Sequence, residues 1–144
     1  MAGDRPGLVN VAFITIARVA ELLGSPTLAA TGRRPLPPAV RTEAVRAALQ
    51  ADPGLFAHAS RHPSTVLSLD RTYDELRRCP PDLLARLAAT SKRSAEVVRI
   101  CNAARQRLTS WYDETDLSEA AAAVLESENT PAGLGEIGHL VNEP

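Results

Sequence analysis

Ser91-Lys-Arg-Ser-Ala-Glu-Val-Val-Arg-Ile-Cys-Asn-Ala-Ala-Arg-Gln-Arg-Leu-Thr-Ser-Trp-Tyr112 reads as one long amphipathic helix, capped by Ser91 or Ser94. Val97, Ile100 with Cys101, Ala104, Leu108 and Trp111 recur at three- and four-residue steps. They therefore fall on one stripe of a 3.6-residue helix and face a core. The next residues, Asp113-Glu-Thr-Asp116-Leu117, change character. Asp116 is placed to cap a last helix from Leu117 to about Glu126, with acids near its start, where the helix dipole favours them. The chain's only Trp and one of its two Tyr mark the junction.

Charge changes at the same point. Residues 1–112 carry 16 Lys+Arg and 9 Asp+Glu, net +7; residues 113–144 carry no base and 8 acids, net −8. The overall −1 hides a basic body and an acidic tail. Such asymmetry points to a polyanionic partner for the body, or to contact between the two parts. Of the 16 bases only Lys92 is Lys. Arg is the better fork for phosphate, although a GC-rich genome favours it too.

Working back toward the N-terminus, the pattern is helix after helix. Pro81 and Asp82 precede a short helix, Leu83–Ala89, and Cys79-Pro80-Pro81-Asp82 breaks the one before it. That earlier helix opens at Pro63, runs to about Arg78 and buries Val66, Leu69, Tyr73 and Leu76. A short helix is predicted over Leu55 to about Arg61, after an Asp52-Pro53-Gly54 turn. Pro37 and Pro38 open a helix to about Gln50, with Val40, Ala44, Ala47 and Ala48 on one face. Gly24 to Pro38 reads as a connector rich in Gly and Pro. Before it, Thr15 caps a helix Ile16–Leu23 that Gly24 ends. Leu8–Ile14, apolar and β-branched, is the one good strand candidate, and Ile137–Val141 offers a C-terminal strand stub.

The expected fold is thus mainly α: an irregular helical bundle with one short N-terminal strand and a stub at the other end. Residues 1–7 form a loose start, 8–126 the helical domain and 127–144 an acidic tail. With 144 residues the chain is long enough for a core without staples. Cys79 and Cys101 lie outside any metal or redox spacing and read as reduced thiols of a cytoplasmic protein. No run approaches the ~20 apolar residues of a membrane span.

Chemistry is sparse. There is neither a phosphate loop nor a dinucleotide glycine fingerprint, which argues against nucleotide binding by these residues. Asp113-Glu114 follows a helical pattern rather than a hydrophobic strand, so it reads as a helix start and not as a magnesium-binding pair. His58 and His62 have a zinc-compatible spacing but no third ligand, and they read as exposed histidines near a helix end. No catalytic residue, metal or cofactor is expected. The candidates that remain are cations for phosphate contact: Arg33, Arg34, Arg41, Arg61, Lys92 and Arg93. Arg33-Arg34 and Lys92-Arg93 rank first because each sits in or beside a loop. Trp111 and Tyr112 are candidates to stack a base, against the simpler role of closing a core stripe.

The order of these signals resembles a family. Val11-Ala-Phe-Ile-Thr15-Ile-Ala-Arg18-Val-Ala-Glu-Leu22-Leu23 resembles the strand-then-helix segment of UvrD/RecB-like DNA helicases. Leu36-Pro-Pro-Ala-Val-Arg41 is similar to the start of that family's inserted helical region, and Leu55-Phe-Ala-His-Ala-Ser-Arg-His-Pro63 with Leu69, Leu76 and Leu87 to a helical pair within it. Ala95 to Ala122, with Asp113, Asp116 and Leu117, resembles the long helix and turn before the family's magnesium-binding strand. The nearest likeness is to nuclease-bearing AddB/RecB-like subunits in high-GC actinobacterial form. It covers about residues 8–126 as a pattern of order and spacing. The family's ATP-binding loop, magnesium-binding acids and nuclease motif have no counterpart here, so no catalytic role carries over.

The resemblance implies a non-catalytic accessory domain or fragment of an ATP-dependent helicase–exonuclease of double-strand-break repair and recombination. Its partners would be the DNA phosphate backbone and the remaining parts or subunits of the complex, with no membrane. The competing expectation is a helical protein–protein interaction module with no nucleic-acid role.

Overall fold

A computed structural model of the chain describes residues 14–127. Its elements are, in order, α1 (Ile16–Ala30), β1 (Arg34–Pro35), α2 (Pro38–Ala51), a 3-10 helix (Gly54–Ala59), α3 (Pro63–Arg77), α4 (Pro81–Thr90), α5 (Lys92–Gln106), β2 (Trp111–Tyr112) and α6 (Glu114–Glu126). The fold is mainly α, an irregular bundle, as the periodicity predicts. Of the strand candidate Leu8–Ile14, only Ile14 is described; it is exposed and outside any strand. The C-terminal stub Ile137–Val141 lies outside the described residues. Among the described residues, no helix is long and apolar enough to cross a membrane.

Local chemistry explains most element starts. Pro38, Pro63 and Pro81 occupy first-turn positions, where a missing N–H costs nothing. Thr15 Oγ1 accepts the Arg18 N–H, and Ser91 Oγ accepts that of Ser94. Gly54 has φ +46°, in the left-handed region that residues with a side chain rarely adopt, so the Asp52-Pro53-Gly54 turn favours glycine.

Four expectations are corrected. Helix α1 does not stop at Gly24 but continues through Pro26 to Ala30. Gly24 is an internal contact: a Cβ there would lie 2.5 Å from the Leu117 carbonyl oxygen. Glycine is needed because α6 approaches α1 closely, not because α1 ends. Helix α5 stops at Gln106 rather than near Tyr112. Leu108 is still buried, but Trp111 and Tyr112 leave the helix and pair in parallel with Arg34 and Pro35. The cap of α6 is Asp113, not Asp116. Asp113 Oδ1 accepts the N–H groups of Thr115 and Asp116, and Asp116 Oδ2 accepts the Asp113 N–H. The two aspartates form a reciprocal capping box. Finally, the buried face of α2 adds Val45 and Leu49 to the expected Ala44 and Ala48, with Val40 half-buried against the core.

Two packed groups result. Helices α2, α3 and α5 enclose one core, with Val45, Leu49 and Ile100 fully buried among Val66, Leu69, Tyr73 and Ala104. Each large aliphatic removed from water there contributes about 1.5–3 kcal/mol. Helix α4 lies along α5. Helix α1 packs chiefly on α6, burying Leu23, Leu28 and Ala121 outside that core. Gly24 meets Leu117 near the start of α6, while Ser25 Oγ reaches the Tyr112 hydroxyl at 3.2 Å. The β1–β2 ladder joins this pair to the core.

Candidate nucleic-acid interface

Ion pairing sorts the cations into two sets. Arg33 belongs to the first. It follows α1, and its Nε and Nη2 donate to the Trp111 carbonyl at 3.1 and 2.6 Å while Nη2 also pairs with Asp116 at 2.9 Å. Arg77, at the end of α3, reaches the same place: Nε pairs with Asp113 at 2.8 Å and Nη2 with Asp116 at 2.9 Å. Its side chain is only 8% exposed. Burial alone would lower the Arg77 pKa, but Asp113 and Asp116 together raise it, so the charge is held. Burial alone would raise the Asp116 pKa; the Asp113 N–H, Arg33 and Arg77 lower it instead.

Arg41 is engaged likewise. Its Nε and Nη2 fork onto Asp70 at 2.9 and 3.2 Å, and Nη1 reaches Asp74 at 2.9 Å. The paired Asp70 is the one charged residue of the buried set among the described residues. Arg33 and Arg41 thus clamp the fold internally, and their guanidinium groups already have acceptors. Their structural role was legible only in part: Asp113-x-x-Asp116 has capping-box spacing, but nothing local shows that Arg77 or Arg33 reaches it.

Arg34, Arg61, Lys92 and Arg93 form the second set. All four are exposed and make no ion pair with a described residue. Lys92 and Arg93 occupy the first turn of α5, where the dipole disfavours cations, so helix stability does not account for them. Arg71, Arg86, Arg105 and Arg107 share this exposure and lack of a described partner. Seven of the eight lie between residues 61 and 107, where Glu75 and Asp82 are the only acids outside ion pairs. The unpaired acids Glu114, Glu119 and Glu126 lie on α6. Positive charge is therefore in excess over residues 61–107.

The aromatic candidates separate. Tyr112 is buried and bonded to Ser25, which removes it as a stacking surface. Trp111 is half-buried against the core, with the Arg34 guanidinium carbon 4.5 Å from its ring centroid.

A cleft of about 320 Å³ lies between α3, the start of α2 and the start of α6. Arg41, Arg77, Arg78, Asp74, Asp113 and Glu114 line it, beside Tyr73. Most of these charges pair within the wall, and burial pushes the Tyr73 phenol above its ordinary range. Nothing there pairs a nucleophile with a base. Burial pushes the Cys101 thiol up to about 11, which makes it unreactive. His58 lies in the 3-10 helix and His62 precedes α3, so their spacing does not put them on one helical face. Among the described residues no three His, Cys, Asp or Glu are grouped to hold a metal. No family model, curated protein or solved structure matches the chain.

Proposed function

We propose that this chain is a non-catalytic helical module that contacts nucleic acid through backbone phosphates, as an accessory part of a helicase–nuclease assembly of the UvrD/RecB-like kind. The separation of charge carries the reading: seven cations between residues 61 and 107 make no ion pair with a described residue, whereas Arg33, Arg41 and Arg77, which shape the fold, are paired. Arg61, Lys92 and Arg93 are its centre, with Arg34 on the ladder. The resemblance in order and spacing supplies the assembly.

A second reading, a protein-interaction module with no nucleic-acid role, draws on one observation. Ile14 and Ile16, just before and at the start of α1, and Leu125, in the last turn of α6, are large exposed hydrophobics; Ile16 is 88% exposed.

Binding of a labelled oligonucleotide, followed by anisotropy from low to physiological salt, tests the first reading. Phosphate contact predicts a linear fall of log affinity with log salt, about 0.7 per neutralised phosphate on a single strand. Replacing Lys92 and Arg93 with Glu should weaken binding for all sequences alike and reduce that slope. Absence of binding at low salt would overturn the proposal and favour the second reading.

A further inference from the structure

We propose that Arg34, seated over the Trp111 ring, is a plate on which an unpaired base of single-stranded nucleic acid stacks. This rests on the proposed nucleic-acid contact and specifies which form of the polymer is bound, and by which group.

The two residues are exact register partners in the parallel ladder, so their side chains rise from adjacent positions of the same short sheet. The ladder fixes both backbones. The Arg34 N–H donates to the Ser110 carbonyl at 3.1 Å, and the Leu36 N–H to the Tyr112 carbonyl at 2.8 Å. Arg33 adds a clamp by donating twice to the Trp111 carbonyl. Trp111 packs against the core, and Arg34 lies over its ring. Arg34 is exposed and takes no carboxylate among the described residues. Its guanidinium carbon sits 4.5 Å from the indole centroid, and the residue is otherwise open to solvent.

A guanidinium in that state has two unused capacities. Its outer face can stack on any base, since every base presents a π surface. Its edge N–H groups can meet a phosphate at the same time. The entropy of holding the side chain still is met in advance by the indole, so the plate is preorganised. Bases of a duplex are stacked on one another and offer no free face, so the site selects single strands.

Trp111, the only Trp in the chain, reports on its own site. Its emission would be followed in the full chain during titration with a twenty-nucleotide oligothymidylate, the matching duplex and heparin, with anisotropy of labelled oligomers as an independent measure of binding. The expected result is quenching by the single strand alone. Arg34→Lys keeps the charge but loses the plane; it should weaken single-strand affinity about tenfold, within the range of one base–aromatic contact, and spare duplex affinity. Equal quenching by heparin or duplex would overturn the stacking plate, because phosphate alone would then suffice. Oligothymidylate binding seen by anisotropy, with silent emission and an unaltered Arg34→Lys variant, would overturn the plate while leaving the phosphate reading intact. If neither anisotropy nor emission registers an oligomer at low salt, both fall.

Discussion

Asp116 has three donors around one carboxylate. Its Oδ1 takes Arg77, and its Oδ2 takes Arg33 and the Asp113 N–H. They hold its pKa below the usual aspartate value despite burial, so the folded state resists protonating it more than the unfolded chain does. The sign follows from linkage. Stability from this group is fully present above the ordinary aspartate pKa of about 3.9 and is lost as pH falls from there through the folded value. Urea midpoints should therefore hold steady near neutrality and drop below about pH 4. Asp116→Asn should be less stable at neutral pH and show a shallower acid drop. Parallel acid curves for the two proteins would show that other carboxylates govern the transition. Half of this arrangement is readable locally: acids three apart after a turn propose a capping box. The other half is not, because Arg77 and Arg33 come from distant elements and a surface arginine is written the same way as a buried one.

Proline and cap chemistry let helix starts be read from the chain, whereas helix ends depend on neighbours. Pro38, Pro63, Pro81, Thr15 and Ser91 open helices for reasons contained within a turn of sequence. Gly24 is the instructive failure. A glycine after Leu22-Leu23 carries the signature of a C-terminal stop, yet here it sits mid-helix because the Leu117 backbone needs the space. The close approach involves two elements far apart in the chain, so no local pattern contains it. The end of α5 fails for a related reason. The stripe continues through Leu108 to Trp111, but the backbone of Trp111 and Tyr112 is claimed by Arg34 and Pro35. Gly24→Ala makes the element-scale prediction. An exposed helical glycine gains about 1 kcal/mol from alanine. At this position the added methyl would strike a carbonyl that helix geometry prevents from yielding. Overpacking costs about 1–3 kcal/mol, so the net change should be destabilising. A lower urea midpoint with an unchanged denaturant slope is the expected readout. A stabilised variant would mean that α1 and α6 can part without loss.

The molecule as a whole is two packed groups, and charge does much of the joining. The α2–α3–α5 core and the α1–α6 pair bury separate apolar sets. Between them run a ladder of two residues per strand and the ion pairs of Arg77 with Asp113 and Asp116. Arg77 is rooted in α3 and its partners open α6, so this cation ties the acidic helix to the basic body. Fewer apolar contacts favour easier local opening, which places α1 and α6 at the low end of the stability range. Removing Arg77 sharpens the contrast. Arg77→Ala leaves two partly buried aspartates facing each other with only Arg33 to compensate. Breaking a buried pair by deleting one partner costs about 3–5 kcal/mol, and the exposure of the aspartates places this case toward the lower figure. Because the ion pairs lie between the groups rather than within either, the cost should fall unevenly. Native-state hydrogen exchange should show the amides of α1 and α6 exchanging much faster in Arg77→Ala, with those around Leu49 and Ile100 slowed or quickened only as far as global stability changes. Arg77→Lys keeps the charge and loses the fork, so it should lie between the two. Uniform acceleration across all helices would mean that the molecule opens as one unit and that the ion pairs belong to a single core.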